Sequence, residues 1–330
     1  MGAGTDNTAS LCFGGFGPSP TTSQAKTELW NGTNWSEQND MSNARDGGGG
    51  AGTETAAIAM SGSSPGQITA SEQWTGAGAN IGAWTTANSM NTARGSAAAV
   101  GTQTESLVFG GYTTTAVGVT ESYDGTNWTE VNDLNQLRSN LAGGGTYTSG
   151  LAFGGSKPPG NAGETESWNG TNWTEVNDLN SARNALGGTG SSNTNALAFG
   201  GVEPSVSNKT ETWNGTNWTE VNNLNQARRS MGRAGASNTS ALAFGGNTPP
   251  GGNLKANTES WNGTNWTEVN DLNQARQYLA GAGIQDSALA FGGGTPPSPY
   301  AITEEWNGAS WVEVADLNTA REALMGSGTT

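Results

Sequence analysis

The side chains that most often carry catalytic chemistry are almost missing from this sequence. Its 330 residues include no histidine and one cysteine, Cys12. Without histidine the commonest general base is absent, and neither a Ser-His-Asp nor a Cys-His site can be built. Cys12 matches an alanine in other repeats of the chain, which favours a small buried core residue over a nucleophile. Acid chemistry by unassigned Asp and Glu residues is the enzymatic alternative, and we predict that the protein is not an enzyme.

Two short motifs could in principle hold an ion or a phosphate. Asn-Asp-Leu-Asn at 132–135, 177–180 and 270–273 offers oxygen ligands of the kind that calcium takes. We favour a turn between strands, because Asn and Asp are frequent turn residues. Gly188-Thr189-Gly190 and similar runs lack the strand-to-helix context of a phosphate loop. We therefore predict no metal site and no cofactor.

The charge balance and hydropathy limit the partners. The formal net charge is −15, and seven of the 13 basic residues fall at one repeated position. Few are left for the basic patch that nucleic-acid binding needs, so we predict no nucleic-acid partner. No apolar run reaches about 18 residues, so we predict no transmembrane segment and no membrane insertion. The first residues lack the features of a classical signal peptide, and we expect an extracellular surface or virion location reached without one.

Seven internal repeats organise the chain. A glycine doublet or its equivalent ends an apolar run in each repeat, and its last glycine recurs every 44 to 49 residues at Gly15, Gly62, Gly111, Gly155, Gly201, Gly246 and Gly293. An aromatic pair follows, at Trp30/Trp35, Trp74/Trp84, Tyr123/Trp128, Trp168/Trp173, Trp213/Trp218, Trp261/Trp266 and Trp306/Trp311. An arginine closes each repeat, at Arg45, Arg94, Arg138, Arg183, Arg228, Arg276 and Arg321. The second repeat diverges most.

A period of about 40 to 50 residues with four short strands is typical of propeller blades. Each repeat supplies a Gly/Ala-rich strand, an apolar strand, a strand with Glu-x-Trp and a strand that begins at the second tryptophan. Asn-Gly between the last two indicates a hairpin, and turns of two or four residues both place Trp168 and Trp173 on one face. The sequence predicts an all-β fold: a seven-bladed β-propeller of four-stranded antiparallel blades, as a single domain over residues 1–330.

The glycine doublet, the aromatic pair and the terminal arginine resemble the kelch repeat. The resemblance covers nearly the whole chain, and it is specific because seven copies lie in register. Such Asn-, Thr- and Gly-rich repeats are similar to those of phage and environmental bacterial surface proteins. The kelch-fold copper oxidases need histidine and a cysteine-modified tyrosine, and histidine is absent here. The segment from Ser122 to Trp128 looks like the Asp-box turn of sialidase propellers, but it is one residue short and no arginine cluster accompanies it.

Packing in a propeller accounts for the repeated residue types. Small residues suit the crowded inner strands, and tryptophans fill the wider space between outer strands. A glutamate precedes each first aromatic by two residues, and the repeat arginines are the available donors. We therefore predict Glu–Arg pairs in or between blades. In well-preserved repeats the predicted structural residues are Gly154, Gly155, Glu166, Trp168, Trp173 and Arg183.

The two ends of the sequence compete for one strand. Residues 325–329, Met-Gly-Ser-Gly-Thr, repeat residues 1–5, Met-Gly-Ala-Gly-Thr. Both segments align with the inner strand of the first blade, which only one can occupy. The stretch 321–324 before the second copy has no counterpart before the first. We therefore predict that the C-terminal strand closes the ring and that residues 2–5 are displaced.

Sequence variation is concentrated in one type of loop. All eleven prolines lie between the glycine doublet and the Glu-x-Trp strand, and these loops differ in every repeat. Alternating strand direction places them on one face, and variable loops on a rigid fold are a common binding surface. Neutral drift of solvent-exposed loops is the alternative. The candidate ligand-binding residues are Lys157, Pro158, Pro159, Glu203, Pro204, Pro249, Pro250, Lys255, Pro296, Pro297 and Tyr300.

Together these features predict a non-enzymatic binding module. It would recognise a glycan or protein receptor through the proline-bearing loops. The alternative is a structural component of a larger assembly such as a phage particle, whose partners would be neighbouring subunits of the virion or surface assembly.

Overall fold

The chain forms a ring of antiparallel sheets. The computed structural model describes residues 8–17, 22–76, 82–235, 237–249, 253–295 and 297–327. These residues form seven four-stranded sheets and three two-stranded hairpins, arranged as a seven-bladed β-propeller, which confirms the predicted fold. Among them no helix occurs that is long and apolar enough to cross a membrane.

Each blade has an inner, a second, a third and an outer strand, numbered here around the ring from blade 1. The inner strands are Met325–Ser327, Gly49–Gly52, Ala98–Gly101, Ala142–Thr146, Gly187–Ser192, Gly232–Ala234 and Ala280–Ile284. The second strands are Ser10–Phe13, Ala56–Met60, Ser106–Phe109, Ser149–Phe153, Asn195–Phe199, Ala241–Phe244 and Ser287–Phe291. The third strands are Thr27–Trp30, Ser71–Thr75, Thr120–Tyr123, Thr165–Trp168, Thr210–Trp213, Thr258–Trp261 and Thr303–Trp306. The outer strands are Trp35–Glu37, Ala83–Ala87, Trp128–Glu130, Trp173–Val176, Trp218–Val221, Trp266–Val269 and Trp311–Glu313.

Two kinds of connection lie on one face of the ring. The proline loops join the second strand to the third, and the blade connections join the outer strand to the inner strand of the next blade. Three proline loops contain a short hairpin, which pairs Ser156–Lys157 with Gly160–Asn161, Asn247–Thr248 with Asn253–Leu254, and Gly294–Thr295 with Ser298–Pro299. The other two turns of each blade lie on the opposite face.

The turn from third to outer strand fixes the register of the tryptophan pair. Trp168 pairs with Trp173, so four residues lie between them. Asn169 Oδ1 accepts a hydrogen bond of 2.9 Å from the backbone N–H of Asn172. Gly170 has φ of 91°, a conformation that glycine adopts without a Cβ clash. The four-residue alternative is therefore correct, and the two indole rings lie 5.3 Å apart.

Blade 1 is built from segments near both ends of the sequence. Its inner strand, Met325–Ser327, pairs with Ser10–Phe13, so the ring is closed by the C-terminal strand, as predicted. Residues 1–7 lie outside the described residues, and the predicted displacement of residues 2–5 stays a prediction.

The apolar core is distributed over the seven boundaries between blades. At one boundary Phe153 of blade 4 lies against Trp218 of blade 5, with ring centroids 5.0 Å apart. The same contact recurs at Phe13–Trp84, Phe109–Trp173, Phe199–Trp266, Phe244–Trp311 and Phe291–Trp35. At the boundary of blades 2 and 3 Met60 replaces the phenylalanine, in one cluster with Trp128. Each boundary thus buries the large side chains that the repeats supply.

The second tryptophan of most blades also forms a hydrogen bond to the preceding blade. Trp173 Nε1 donates to Thr120 Oγ1 at 3.0 Å, and the same bond is made at Trp35–Thr303, Trp84–Thr27, Trp218–Thr165, Trp266–Thr210 and Trp311–Thr258. Blade 2 has Ser71 where the other blades have threonine. Ser71 Oγ and Trp128 Nε1 are both buried without a hydrogen-bond partner among the described residues. This boundary lacks a bond that the others have.

A buried Glu–Arg pair is present in every blade, as predicted. The arginine of a blade connection reaches the glutamate on the third strand of the blade that follows, with N···O distances of 2.9 Å for Arg138–Glu166 and 3.0 Å for Arg183–Glu211. The other pairs are Arg45–Glu72, Arg94–Glu121, Arg228–Glu259, Arg276–Glu304 and Arg321–Glu28. All of these side chains are buried.

The same glutamate also organises the connection that carries the arginine. Glu166 Oε2 accepts hydrogen bonds from the backbone N–H of Asn135 at 2.6 Å and from its side-chain amide at 2.8 Å. Glu166 Oε1 accepts from Arg138. Burial lowers the pKa of the Arg138 guanidinium, and the charge of Glu166 opposes that shift. Since arginine stays protonated, the blade connection carries a buried positive charge that lies against Glu166.

Neutralising one buried glutamate should strongly destabilise the fold. Glu166→Gln leaves Arg138 buried without a counter-charge, and we expect the free energy of unfolding to fall by about 3–5 kcal/mol. Glu175→Gln is the control, because Glu175 lies opposite Glu166 on the outer strand but is exposed. It should change the value by less than about 0.5 kcal/mol. Urea denaturation measures both, and equal stability of the two variants would contradict the structural role of the pair.

Restoring the missing hydrogen bond should stabilise blades 2 and 3. In Ser71→Thr the hydroxyl can accept from Trp128 Nε1 as Thr120 does from Trp173, and we expect a gain of about 0.5–1.5 kcal/mol. The matched control is Thr165→Ser, which should weaken the bond from Trp218. Thermal unfolding followed by tryptophan fluorescence measures both changes, and a Ser71→Thr variant less stable than the parent protein would show that the boundary cannot accommodate the bond.

Candidate functional site

The proline loops carry the candidate ligand-binding residues, all on the face defined above. Of the eleven, Pro250 and Pro296 lie outside the described residues. The exposed candidates are all prolines: Pro158, Pro159, Pro204, Pro249 and Pro297. Lys157, Glu203, Lys255 and Tyr300 are partly buried. Their role in binding stays a prediction, and the structure shows which of them a ligand could reach first.

Several polar candidates already have partners in their own loop. Lys157 forms an ion pair with Glu164. Glu203 accepts a 2.7 Å hydrogen bond from Ser207 and lies 3.3 Å from Lys209 Nζ. These groups stabilise the loops, so a ligand would have to share or replace the bonds.

Neighbouring proline loops are bonded to each other across blades. The Asn161 side-chain amide donates to the carbonyl oxygens of Val202 at 2.8 Å and Glu203 at 3.1 Å. Its own oxygen accepts from Asn184 at 2.6 Å. The loops of blades 4 and 5 therefore form one continuous surface with a defined shape.

Backbone hydrogen bonds join most neighbouring blades around the channel mouth on this face. Two residues before each inner strand the chain adopts positive φ, at Gly47, Ser96, Asn140, Ala185, Ser230, Tyr278 and Ala323. At five of these seven positions the N–H donates to the carbonyl of the equivalent residue in the preceding blade, for example from Asn140 to Ser96 at 3.0 Å and from Tyr278 to Ser230 at 3.1 Å. Successive blades are thereby joined beside the candidate surface.

Three exposed apolar side chains on the same face escaped the sequence reasoning. Tyr112 and Tyr278 are each 43% exposed, and Leu137 is 59% exposed. Tyr112 follows the glycine doublet in the loop of blade 3, which corresponds to the proline loops of the other blades but contains no proline. Leu137 and Tyr278 lie in blade connections. For Leu137 and Tyr278 the signal in the sequence was an apolar residue at a repeat position where the other six repeats have small or polar residues. Aromatic and aliphatic side chains of this kind commonly contribute to binding surfaces.

The centre of the ring is an open channel lined by the inner strands. It contains cavities of about 340 Å³ and 110 Å³. The larger cavity extends along the channel from Met231, Leu279 and Leu324 at the proline-loop end to Thr53 and Thr102 at the opposite end. Arg233 lines both cavities. Sequence reasoning missed it, although it is the one charged residue within the seven inner strands.

The Asn-Asp-Leu-Asn turns use their polar atoms within the fold. Asp178 Oδ1 accepts a 3.2 Å hydrogen bond from the backbone of Thr165, and Asn177 donates at 2.7 Å to Asn217 of the next blade. Asn180 donates to Glu211. These contacts support the turn interpretation. In the described ranges no three His, Cys, Asp or Glu side chains are grouped as a metal site would require.

Cys12 lies in the apolar cluster between blades 7 and 1, beside Trp30 and Trp35. It is fully buried. Burial raises the pKa of its thiol to about 12, although the positive charge of Arg321 acts in the opposite direction. Cys12 is therefore surrounded by the apolar core, in agreement with its interpretation as a small core residue.

Comparison with known proteins shows the fold and no more. No protein-family model matches the chain, and no curated protein matches it. Among solved structures the chain resembles YjhT, with a TM-score of 0.66 and 12% sequence identity over 84% of this chain and 99% of that one. Identity at this level supports the propeller fold alone. The kelch assignment therefore remains a resemblance carried by the repeats.

Alkylation should find Cys12 unreactive in the folded protein. A pKa of about 12 against the ordinary 9.0 lowers the thiolate fraction at neutral pH about a thousandfold, and burial blocks access as well. We expect no iodoacetamide adduct by mass spectrometry at pH 8 until urea unfolds the chain, with Cys12→Ala as the blank. Rapid modification of the native protein would contradict the burial of this side chain.

Proposed function

We propose that this chain is a non-enzymatic binding module that recognises a glycan or protein receptor through its proline loops. The observation that carries the proposal is a contrast between two parts of each repeat. The buried Glu–Arg pairs and tryptophan contacts recur around the ring, whereas the exposed loop tips differ from blade to blade. Variation confined to the accessible part of a rigid fold is the pattern of a recognition surface.

The rigidity of the loops supports the proposal. Hydrogen bonds from Asn161 join the loops of blades 4 and 5, and short hairpins pair described residues within the loops of blades 4, 6 and 7. A surface that is ordered before binding loses less conformational entropy when a ligand arrives. Tyr112, Tyr278 and Leu137 add apolar area to the same face.

The absence of histidine and the engagement of the buried glutamates support a non-enzymatic role. The seven glutamates of the third strands face arginines rather than a cavity. We further propose that the protein is displayed on a virion or cell surface. The alternative function is a scaffold in a larger assembly such as a phage particle, which would dock its neighbours through the repeat-invariant outer strands.

A glycan array with the full chain tests the proposed surface. Saturable binding is expected for the parent protein, and a variant with Pro158→Ser, Pro159→Ser and Pro204→Ser should bind at least tenfold more weakly, because it changes exposed loop tips of adjacent blades. The matched control carries Thr171→Ala and Thr216→Ala in exposed turns on the opposite face and should bind as the parent does.

The other outcomes separate the alternatives. Equal loss in the control variant would contradict a role for the proline loops. Loss on addition of a calcium chelator would contradict the prediction of no metal site. If no glycan binds and analytical ultracentrifugation shows ordered assembly of the chain, the scaffold function replaces the proposal.

A further inference from the structure

Among the described residues, the channel is lined by one cationic side chain and otherwise by neutral ones. Its two cavities share Gly50, Gly143 and Arg233, so Arg233 lies where they meet. The other residues that line them are glycine, alanine, valine, leucine, methionine and threonine. Within the described ranges, Arg233 therefore supplies all of the side-chain charge that faces the channel.

The fold does not require an arginine at this place. Arg233 lies opposite Ala243 in its blade, and Gly143, Gly188 and Gly281 hold the equivalent positions in blades 4, 5 and 7. Small residues fit there because the inner strands crowd the axis. This long cationic side chain occurs in one blade only. The structural arginines, by contrast, occur in every blade.

Arg233 also differs from those arginines in having no partner. Each repeat arginine faces a buried glutamate, whereas in the described part of the chain the Arg233 guanidinium has neither an ion pair nor a hydrogen bond. Burial lowers its pKa, and no carboxylate opposes that effect. The group nevertheless stays protonated. The side chain is partly exposed in the channel, so its N–H donors are open to an anion, which would accept charge-assisted hydrogen bonds from them.

We propose that the central channel binds a small carboxylate, held by the guanidinium of Arg233. The planar carboxylate matches two parallel N–H donors of the guanidinium. One cation balances one negative charge, so a doubly charged phosphate would keep an uncompensated charge in the channel. The inner strands pair on one edge only, and their free edges offer backbone N–H groups as further donors. A cavity of about 340 Å³ is large enough for a small organic acid.

The negative charge of the whole chain disfavours anion binding anywhere except beside a local cation. A net charge of −15 repels anions from most of the surface. Retention of a carboxylate would therefore require a local cation. None of the candidate loop residues lines either cavity, so the channel site and the proposed receptor-binding loops can be tested with separate variants.

The test measures acetate binding to the full chain by NMR titration at fixed pH and ionic strength. Arg233→Ala restores a small residue of the kind found in other blades, so the variant should fold, and it should bind acetate at least tenfold more weakly. Arg229→Ala removes the same charge from a nearby blade connection outside both cavities and should bind as the parent does. Acetate should also raise the melting temperature of the parent protein and leave that of Arg233→Ala unchanged.

Four results would overturn the proposal. They are equal acetate affinity of Arg233→Ala and the parent, equal affinity of the parent for acetate and neutral acetamide, and tighter binding of inorganic phosphate than of acetate. The fourth concerns Asp6, the one acidic side chain outside the described residues. Acetate binding that appears only in Asp6→Asn would identify Asp6 as the partner of Arg233.

Discussion

A buried carboxylate facing a buried guanidinium is the constraint on which the rest of this structure depends. Such a pair is tolerated only when its remaining hydrogen-bonding groups are also satisfied. Glu166 meets this requirement by accepting bonds from Arg138 and Asn135, both of which lie in the connection that enters its blade. Each pair therefore ties a blade to the chain that precedes it. The last pair, Arg321 with Glu28, does the same across the closure of the ring.

The other residues of each repeat either pack between and within the blades or form the exposed loops. The tryptophans and phenylalanines must stay because they fill the boundaries, and the inner strands must be small because seven of them meet at the axis. The tips of the proline loops meet neither demand, so they can vary without cost to the fold. Arg233 is unusual in this respect, because it is a charged side chain at an inner-strand position where blades 4, 5 and 7 have glycine.

The propeller and the Glu–Arg pairs could be predicted because their residues recur in every repeat of the sequence. The closing strand could be predicted because two similar segments align with the same strand position. The nearly identical segments near the two ends could not both occupy one strand, and seven glutamates needed seven donors. The register at Trp168 and Trp173 could not be chosen, because two turn lengths satisfied the same pattern. The partners of Lys157 and Glu203 were also beyond prediction, since they depend on how individual loops fold back. Arg233 was missed because its surroundings arise only when seven distant strands meet.

The central claim is that the ring is one unit, closed by Met325–Ser327, that holds the loops in place. Hydrogen exchange of the full chain and of a chain ending at Leu324 tests it most directly. We expect the shortened chain to lose protection in Ser10–Phe13 of blade 1 and, next, in blades 2 and 7, which contact that blade across its two boundaries. Blades 4 and 5, on the far side of the ring, should lose protection last. Unchanged protection of Ser10–Phe13 without the closing strand would show that the ring does not depend on Met325–Ser327.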